Sequence, residues 1–77
     1  MNSYFYLGSK YQKLLLSVAD VAAELGMSEG TIHNKIGNCT FPVPSRLEGR
    51  RRIVDIRDLA DYLDRQRALS LEQFQFS

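Results

Sequence analysis

The stretch that decides the fold is residues 17–37, SVADVAAELGMSEGTIHNKIG. Ser17, with Asp20 three residues later, is a variant of the capping box that begins a helix. Apolar residues then recur at the spacing of one helical face: Val18, Val21, Ala22 and Leu25. Gly26 ends the pattern, because glycine readily takes the left-handed conformation of a C-terminal cap. These signals predict a short helix over residues 18–25.

A second helix is predicted from about Glu29 to Gly37. Ser28 is a capping residue at its start, and Ile32 and Ile36 lie one turn apart on one face. The helix is short and contains two glycines, so we expect it to be stable only when it packs on the first helix. Two short helices joined by a tight, glycine-containing turn are typical of the helix-turn-helix motif.

The sequence that follows adds a hairpin and a last helix. Two prolines in NCTFPVP (residues 38–44) force an extended path, and residues 46–54 around Gly49 predict a small β-hairpin. Asp55 and Asp58 repeat the capping pattern before another apolar stripe, which predicts a helix to about Arg67. The stripe consists of Ile56, Leu59, Ala60 and Leu63. This order predicts a mainly α fold with a small β-hairpin, a winged helix-turn-helix.

Residues 14–68 form the predicted domain, and two terminal segments flank it. Residues 1–13, MNSYFYLGSKYQK, show no helical period and predict a tail or a short strand. Residues 69–77 predict a C-terminal tail that frays. The aromatic residues of these tails either contact neighbouring protomers or fold back to enlarge a small core: Tyr4, Phe5, Tyr6, Phe74 and Phe76.

The composition is that of one small intracellular domain. Cys39 is the only cysteine among 77 residues, which excludes an internal disulfide and a cysteine-based metal site. The longest apolar run, residues 14–16, is too short to span a membrane, and the N-terminus lacks the basic and apolar regions of a signal peptide. We therefore expect a cytoplasmic protein without a membrane partner.

A net charge of +1 hides an uneven distribution. Residues 1–27 sum to zero, residues 28–52 carry five basic against two acidic residues, and residues 53–77 carry three basic against five acidic residues. The positive charge is therefore concentrated in the middle of the chain. A local concentration of this kind attracts a polyanion.

The second helix offers the first candidate binding surface. The face opposite Ile32 and Ile36 presents Ser28, Glu29, Gly30, Thr31, His33, Asn34 and Lys35. In helix-turn-helix proteins the start of this helix meets base edges in the major groove of DNA. Asn34 suits adenine, whereas Glu29 either accepts from cytosine or stabilises the positive end of its own helix. Lys35 suits a phosphate.

The hairpin offers the second candidate surface. Arg50, Arg51 and Arg52 are consecutive at its tip, and Arg46 lies on the preceding strand. Strand alternation predicts that Arg50 and Arg52 point one way and Arg51 the other. Clustered cations repel one another unless DNA phosphates or a narrow minor groove relieve the repulsion. The alternative is a solvated turn whose arginines pair with the acidic last helix.

Nothing in the sequence indicates catalysis. There is one histidine, one cysteine, no glycine-rich phosphate loop and no pair of carboxylates in an evident pocket. His33 lacks a second ligand at metal spacing, and the aspartates spaced by three along the last helix fit a solvated face better than a metal site. We expect no enzyme activity, no cofactor and no metal.

Two stretches carry a family resemblance: residues 15–36, LLSVADVAAELGMSEGTIHNKI, and residues 41–63, FPVPSRLEGRRRIVDIRDLADYL. Together they resemble the AlpA-like and excisionase group of phage and prophage proteins. The resemblance implies a reduced MerR-type winged helix-turn-helix, with the second helix in the major groove and the wing in the adjacent minor groove. It also implies self-association on direct repeats at attachment or promoter sites, and bending of the DNA that steers an integrase toward excision.

Two residues depart from the pattern of that group. Lys35 stands where many relatives carry an aromatic residue, and Glu29 stands where many carry a basic one. The sequence preference of the group therefore does not carry over to this chain.

Three functions agree with these observations. The first is a prophage excisionase, or recombination directionality factor, that also regulates nearby promoters, with double-stranded DNA and a phage integrase as partners. The second is a dedicated AlpA-like transcriptional regulator. The third is a protein-binding module that engages an integrase, a repressor or a polymerase. A steep salt dependence of DNA binding separates the first two from the third.

Overall fold

This computed structural model describes residues 3–76 of the chain, which contain four helices and three short strands. They follow the order α1 (Ser3–Tyr11), β1 (Leu15–Ser17), α2 (Val18–Leu25), α3 (Glu29–Gly37), β2 (Arg46–Glu48), β3 (Arg51–Asp55) and α4 (Ile56–Phe76). The fold is mainly helical, with one small antiparallel sheet of three strands.

Helix α2 forms where the capping signals predict it. The backbone N–H of Asp20 donates to Ser17 Oγ (3.2 Å), and the backbone N–H of Ser17 donates to Asp20 Oδ2 (3.3 Å). Gly26 ends the helix in the left-handed region, at φ 67°. The buried residues of α2 belong to the predicted apolar face: Val18, Val21 and Ala22.

Helix α3 also matches its prediction. The backbone N–H of Thr31 donates to Ser28 Oγ (3.1 Å), which satisfies one of the N–H groups that a helix start leaves unpaired. Ile32 is fully buried, and Ile36 packs partly buried against the core. These two contacts fix the rotation of α3 and therefore decide which of its side chains face outward.

The predicted hairpin forms, and a third strand extends its sheet. Strand β2 pairs antiparallel with β3 through a turn at Gly49 and Arg50, and β1 pairs antiparallel with the other edge of β3. Strand β3 is therefore central, between two strands of three residues each. Residues 15–17 are too few to show a strand period, so the sequence pattern did not predict β1.

The prediction of a tail or short strand for residues 1–13 is wrong, because Ser3–Tyr11 form helix α1. Leu7 is the one buried residue of this helix, and it belongs to the same hydrophobic cluster as residues of α2 and α4. A single buried position gives no periodic signal. Packing against the rest of the fold, more than its own sequence, stabilises α1.

Helix α1 runs antiparallel to α4. The backbone N–H of Ser3 donates to Asp64 Oδ1 (3.3 Å). The backbone N–H of Ile56, the first residue of α4, donates to the carbonyl oxygen of Leu14 just after α1 (2.9 Å). Residues 3–14 therefore cover the first half of α4.

The prediction of a frayed tail from residue 69 is also wrong, because α4 continues to Phe76. Residues 65–75 are all exposed, so this half of the helix contributes no buried residue to the core. Its sequence ALSLEQ (residues 68–73) is rich in residues that lose little side-chain entropy in a helix. Although α4 has 21 residues, no helix within residues 3–76 is long and apolar enough to cross a membrane.

The tail aromatics whose side chains are described do not enlarge the core. Tyr4, Phe5, Tyr6 and Phe74 are 38%, 72%, 41% and 81% exposed, and the side chain of Phe76 lies outside the described part. The largest fully buried side chains are instead Leu7, Leu16, Val21, Ile32, Val54, Ile56 and Leu59.

Candidate functional site

The outward face of α3 carries the candidate residues that the sequence predicts for it. Six of the seven are exposed: Ser28, Glu29, Gly30, Thr31, His33 and Asn34. Lys35 is half-buried beside the inward-facing Ile32 and Ile36. The structure therefore brings the predicted set together on one short helix, with Lys35 at the margin of the exposed face.

The hydroxyl groups of Ser28 and Thr31 have a structural explanation. They lie 2.8 Å apart, and Ser28 Oγ also caps the helix through the backbone N–H of Thr31. The side chains of Glu29, His33 and Asn34 differ, because they make no hydrogen bond or ion pair within residues 3–76. Their donors and acceptors are therefore free for a partner.

Two glycines flank Asn34 on the exposed face of α3. Gly30 lies four residues before Asn34 and Gly37 three residues after it, so the three positions share one side of the helix. A Cβ atom at Gly30 would meet only Ser28 Oγ at 4.0 Å, and a Cβ atom at Gly37 would meet nothing within 4 Å. Packing within the described chain therefore does not require glycine at either position. The amide of Asn34 therefore lies between two positions that have no side chain.

The β2–β3 hairpin places its arginines differently from one another. Arg51 pairs with Glu48 and Arg52 with Leu47 in the register of the two strands, so these two arginines point to opposite faces of the sheet, as predicted. Arg50 belongs to the turn, and the prediction that it shares a strand face with Arg52 is wrong. Arg50 and Arg51 are exposed, whereas Arg52 is half-buried.

The three consecutive arginines have no acidic partner in the described chain. None of Arg50, Arg51 and Arg52 makes an ion pair or hydrogen bond within residues 3–76. The alternative in which they pair with the acidic residues of α4 is therefore not what the structure shows. Glu48 stands opposite Arg51 across the strands but forms its ion pair with Arg46, so the positive charge of the hairpin exceeds the negative charge beside it.

Arg46 is the exception in the hairpin. Its Nε lies 3.0 Å from Glu48 Oε1 on the same strand. Both side chains are more than half exposed, at 55% and 56%, and an exposed ion pair of this kind contributes little to stability. Arg46 can therefore leave Glu48 and bind an external anion at little cost in stability.

A cluster that the sequence analysis missed fixes α1 to α2. Lys10 Nζ lies 2.5 Å from Glu24 Oε1, and the hydroxyl of Tyr11 donates to the same oxygen at 2.7 Å. Lys10 Nζ also lies 5.6 Å from the ring centroid of Tyr6 and 5.5 Å from that of Tyr11. No spacing rule links positions 10 and 11 to position 24, so only the folded chain shows the cluster.

The cluster shifts the pKa values of its members. Burial and then the hydrogen bond to Glu24 raise the pKa of Tyr11 to about 12. Burial acts to raise the pKa of Glu24, but the hydrogen bonds from Lys10 and Tyr11 outweigh it, so that pKa is lowered. Glu24 is therefore held as a carboxylate in the contact between α1 and α2.

No group of three or more His, Cys, Asp or Glu side chains within residues 3–76 is placed to hold a metal ion. No family model matches the chain, and no curated protein or solved structure matches it either.

Proposed function

We propose that the chain is a sequence-specific DNA-binding protein, and that α2, α3 and the β2–β3 hairpin act as a small winged helix-turn-helix. The observation that carries the proposal is the set of three arginines without a partner, Arg50, Arg51 and Arg52. Basic side chains without an ion pair in the free protein form a local excess of positive charge, which attracts a polyanion. The phosphate backbone of DNA supplies such charges at regular spacing.

The α3 helix supports the DNA proposal in a second way. Ile32 anchors its inner face, so the exposed start of α3 is free to enter a major groove while α2 supports it from behind. Asn34, without a hydrogen-bond partner for its amide in the described chain, offers the donor and acceptor pair that reads adenine. Glu29 supplies an acceptor for cytosine.

The resemblance to the AlpA-like and excisionase group extends the proposal to a biological role. We propose that the protein binds repeated sites in attachment or promoter DNA as an excisionase that also regulates nearby promoters. A dedicated transcriptional regulator is the alternative within the same class. An excision assay with an integrase and its attachment DNA separates them, because a regulator alone leaves excision unchanged.

A salt titration tests the DNA proposal directly. The dissociation constant for a short, fluorescently labelled duplex is measured by anisotropy over a range of salt concentrations. About five phosphate contacts give a slope of roughly −4 to −5 in log K against log salt. A flat dependence, or no binding, would contradict the proposal and favour a protein-binding module. Enrichment from a random duplex library then tests sequence specificity.

A further inference from the structure

Leu47 is an exposed leucine at the centre of the arginine-rich hairpin. It lies on β2 between Arg46 and Glu48, and its side chain is 59% exposed. Its partner in the antiparallel register is Arg52. Directly opposed residues project from the same face of a sheet, so Leu47 and Arg52 stand side by side.

That face of the sheet is the one that enters the core. Along β3, Arg52 and Val54 alternate onto the same side, and Val54 pairs with Leu16 of β1. Val54 is 1% exposed and Leu16 is fully buried, so helices cover this end of the face. Toward the hairpin turn the helices no longer cover this face. Leu47 lies at that end, and its side chain is far more exposed than those of Val54 and Leu16.

The charges near Leu47 indicate which kind of partner covers its side chain. Single exposed leucines are common on protein surfaces and need no explanation. This one stands beside Arg52 on the same face and close to the turn that contains Arg50, whereas Arg51 points to the opposite face. Neither Arg50 nor Arg52 makes an ion pair within the described residues. An apolar protein surface would leave those charges desolvated and unpaired. A DNA groove provides phosphates at its rims and apolar sugar faces between them.

We infer that Leu47 packs against the sugar or base edges of a DNA groove while the neighbouring arginines bind the phosphates beside it. The inference rests on the proposed DNA-binding function and adds an apolar contact to it. The two kinds of contact differ in their response to salt. Phosphate contacts release counterions and set the slope of log K against log salt, whereas an apolar contact changes the affinity equally at all salt concentrations.

The test compares four proteins on one duplex enriched from a random library by the wild-type chain. Leu47→Thr keeps a residue that favours strands but removes most of the apolar surface. Leu47→Ile keeps the apolar surface. Leu14→Gln is the matched control, because Leu14 is 56% exposed and precedes β1 at the end of the sheet away from the hairpin turn. Urea unfolding of each variant checks that the fold is intact.

We expect Leu47→Thr to bind DNA about tenfold more weakly at every salt concentration, with an unchanged slope; tenfold corresponds to about 1.4 kcal/mol. Leu47→Ile and Leu14→Gln should bind like the wild type. Heparin, a polyanion without base edges or grooves, should bind the wild type and Leu47→Thr equally.

The outcomes distinguish this inference from the function on which it rests. Salt-dependent DNA binding that Leu47→Thr does not weaken would overturn the role of Leu47 and leave the proposed function standing. An equal loss on heparin, or a changed slope, would also overturn it, because the substitution would then act through the arginines. Failure of the wild-type chain to bind any duplex would overturn both.

Discussion

Asp55 and Arg57 join the end of β3 to the start of α4 through three hydrogen bonds. The backbone N–H of Arg57 donates to Asp55 Oδ1 (2.8 Å), its Nε donates to the same oxygen (3.0 Å), and its Nη2 donates to Oδ2 (2.6 Å). The side chain of Asp55 is only 9% exposed. One buried carboxylate therefore caps α4 and pairs with a cation on its first turn, which fixes the central strand of the sheet to the last helix.

Substitutions at Asp55 should separate two contributions to the free energy of unfolding, that of helix capping and that of the charged pair with Arg57. Asp55→Asn keeps an oxygen that can cap α4 but loses the charged pair, and we expect it to lower the free energy of unfolding by about 1 kcal/mol. Asp55→Ala loses both and should lower it by about 2–3 kcal/mol. Urea unfolding followed by circular dichroism measures both values. Equal effects of the two variants would contradict the division into cap and charge.

The same carboxylate predicts an acid dependence of stability. Hydrogen bonds from the Arg57 side chain lower the pKa of Asp55 from 3.8 to about 2. A pKa that is lower in the folded state contributes stability above the unfolded pKa, and the contribution is lost as pH falls through the folded pKa. We expect about 1–2 kcal/mol to be lost between pH 4 and pH 2. Asp55→Asn should reduce this loss, and an unchanged acid profile would contradict the assignment.

Tyr11 predicts that the stability of the fold also depends on pH in the alkaline range. Its pKa is raised to about 12, so its contribution is complete below the unfolded pKa near 10 and is lost as pH rises through the folded value. Ultraviolet absorbance should show Tyr11 ionising near pH 12. Tyr11→Phe should abolish that late step and lower stability by about 1 kcal/mol, because Glu24 loses a donor. Tyr62→Phe, the control, should leave the step in place.

The elements that were predictable are those whose signals are local. Residues 17–37 contain caps, apolar spacing and a glycine turn, and the structure follows them closely. Helix α1 and strand β1 were missed because partners distant in sequence stabilise them: Leu7 packs into the core and Leu16 pairs with Val54. The candidate site follows the same rule. Its residue types were visible in the sequence, but the freedom of the arginines from ion pairs is a property of the folded chain.

Gly30 and Gly26 should respond oppositely to substitution by alanine. Gly30 is helical and an added Cβ meets only an ordinary contact, so Gly30→Ala should raise stability by about 0.5 kcal/mol. Gly26 has φ 67°, where a Cβ is strained, so Gly26→Ala should lower stability by about 1 kcal/mol. If α3 lies in a groove, Gly30→Ala should also weaken DNA binding although it stabilises the protein. Thermal unfolding and anisotropy on the same samples measure the two effects.

Replacing Arg50, Arg51 and Arg52 together with alanine should change binding without loss of the fold. These side chains have no internal partners, so stability should stay the same or rise slightly. The slope of log K against log salt should become shallower by about 3, since each lost phosphate contact removes about 0.9. The control is the double substitution of Arg65 and Arg67, which removes two charges from the exposed half of α4. A similar change of slope in the control would mean that net charge, not the hairpin, controls binding.

Asn34 and Lys35 should affect specificity and affinity separately. If the free amide of Asn34 reads adenine, Asn34→Ala should lose the preference at one position of the enriched site, a discrimination of about 1–3 kcal/mol. If the half-buried Lys35 contacts a phosphate, Lys35→Ala should weaken binding to all sequences alike and reduce the salt slope by about 1. Enrichment from a random duplex library, repeated with each variant, gives both answers. An unchanged base preference in Asn34→Ala would contradict the placement of α3 in the major groove, because Asn34 stands at the centre of its exposed face.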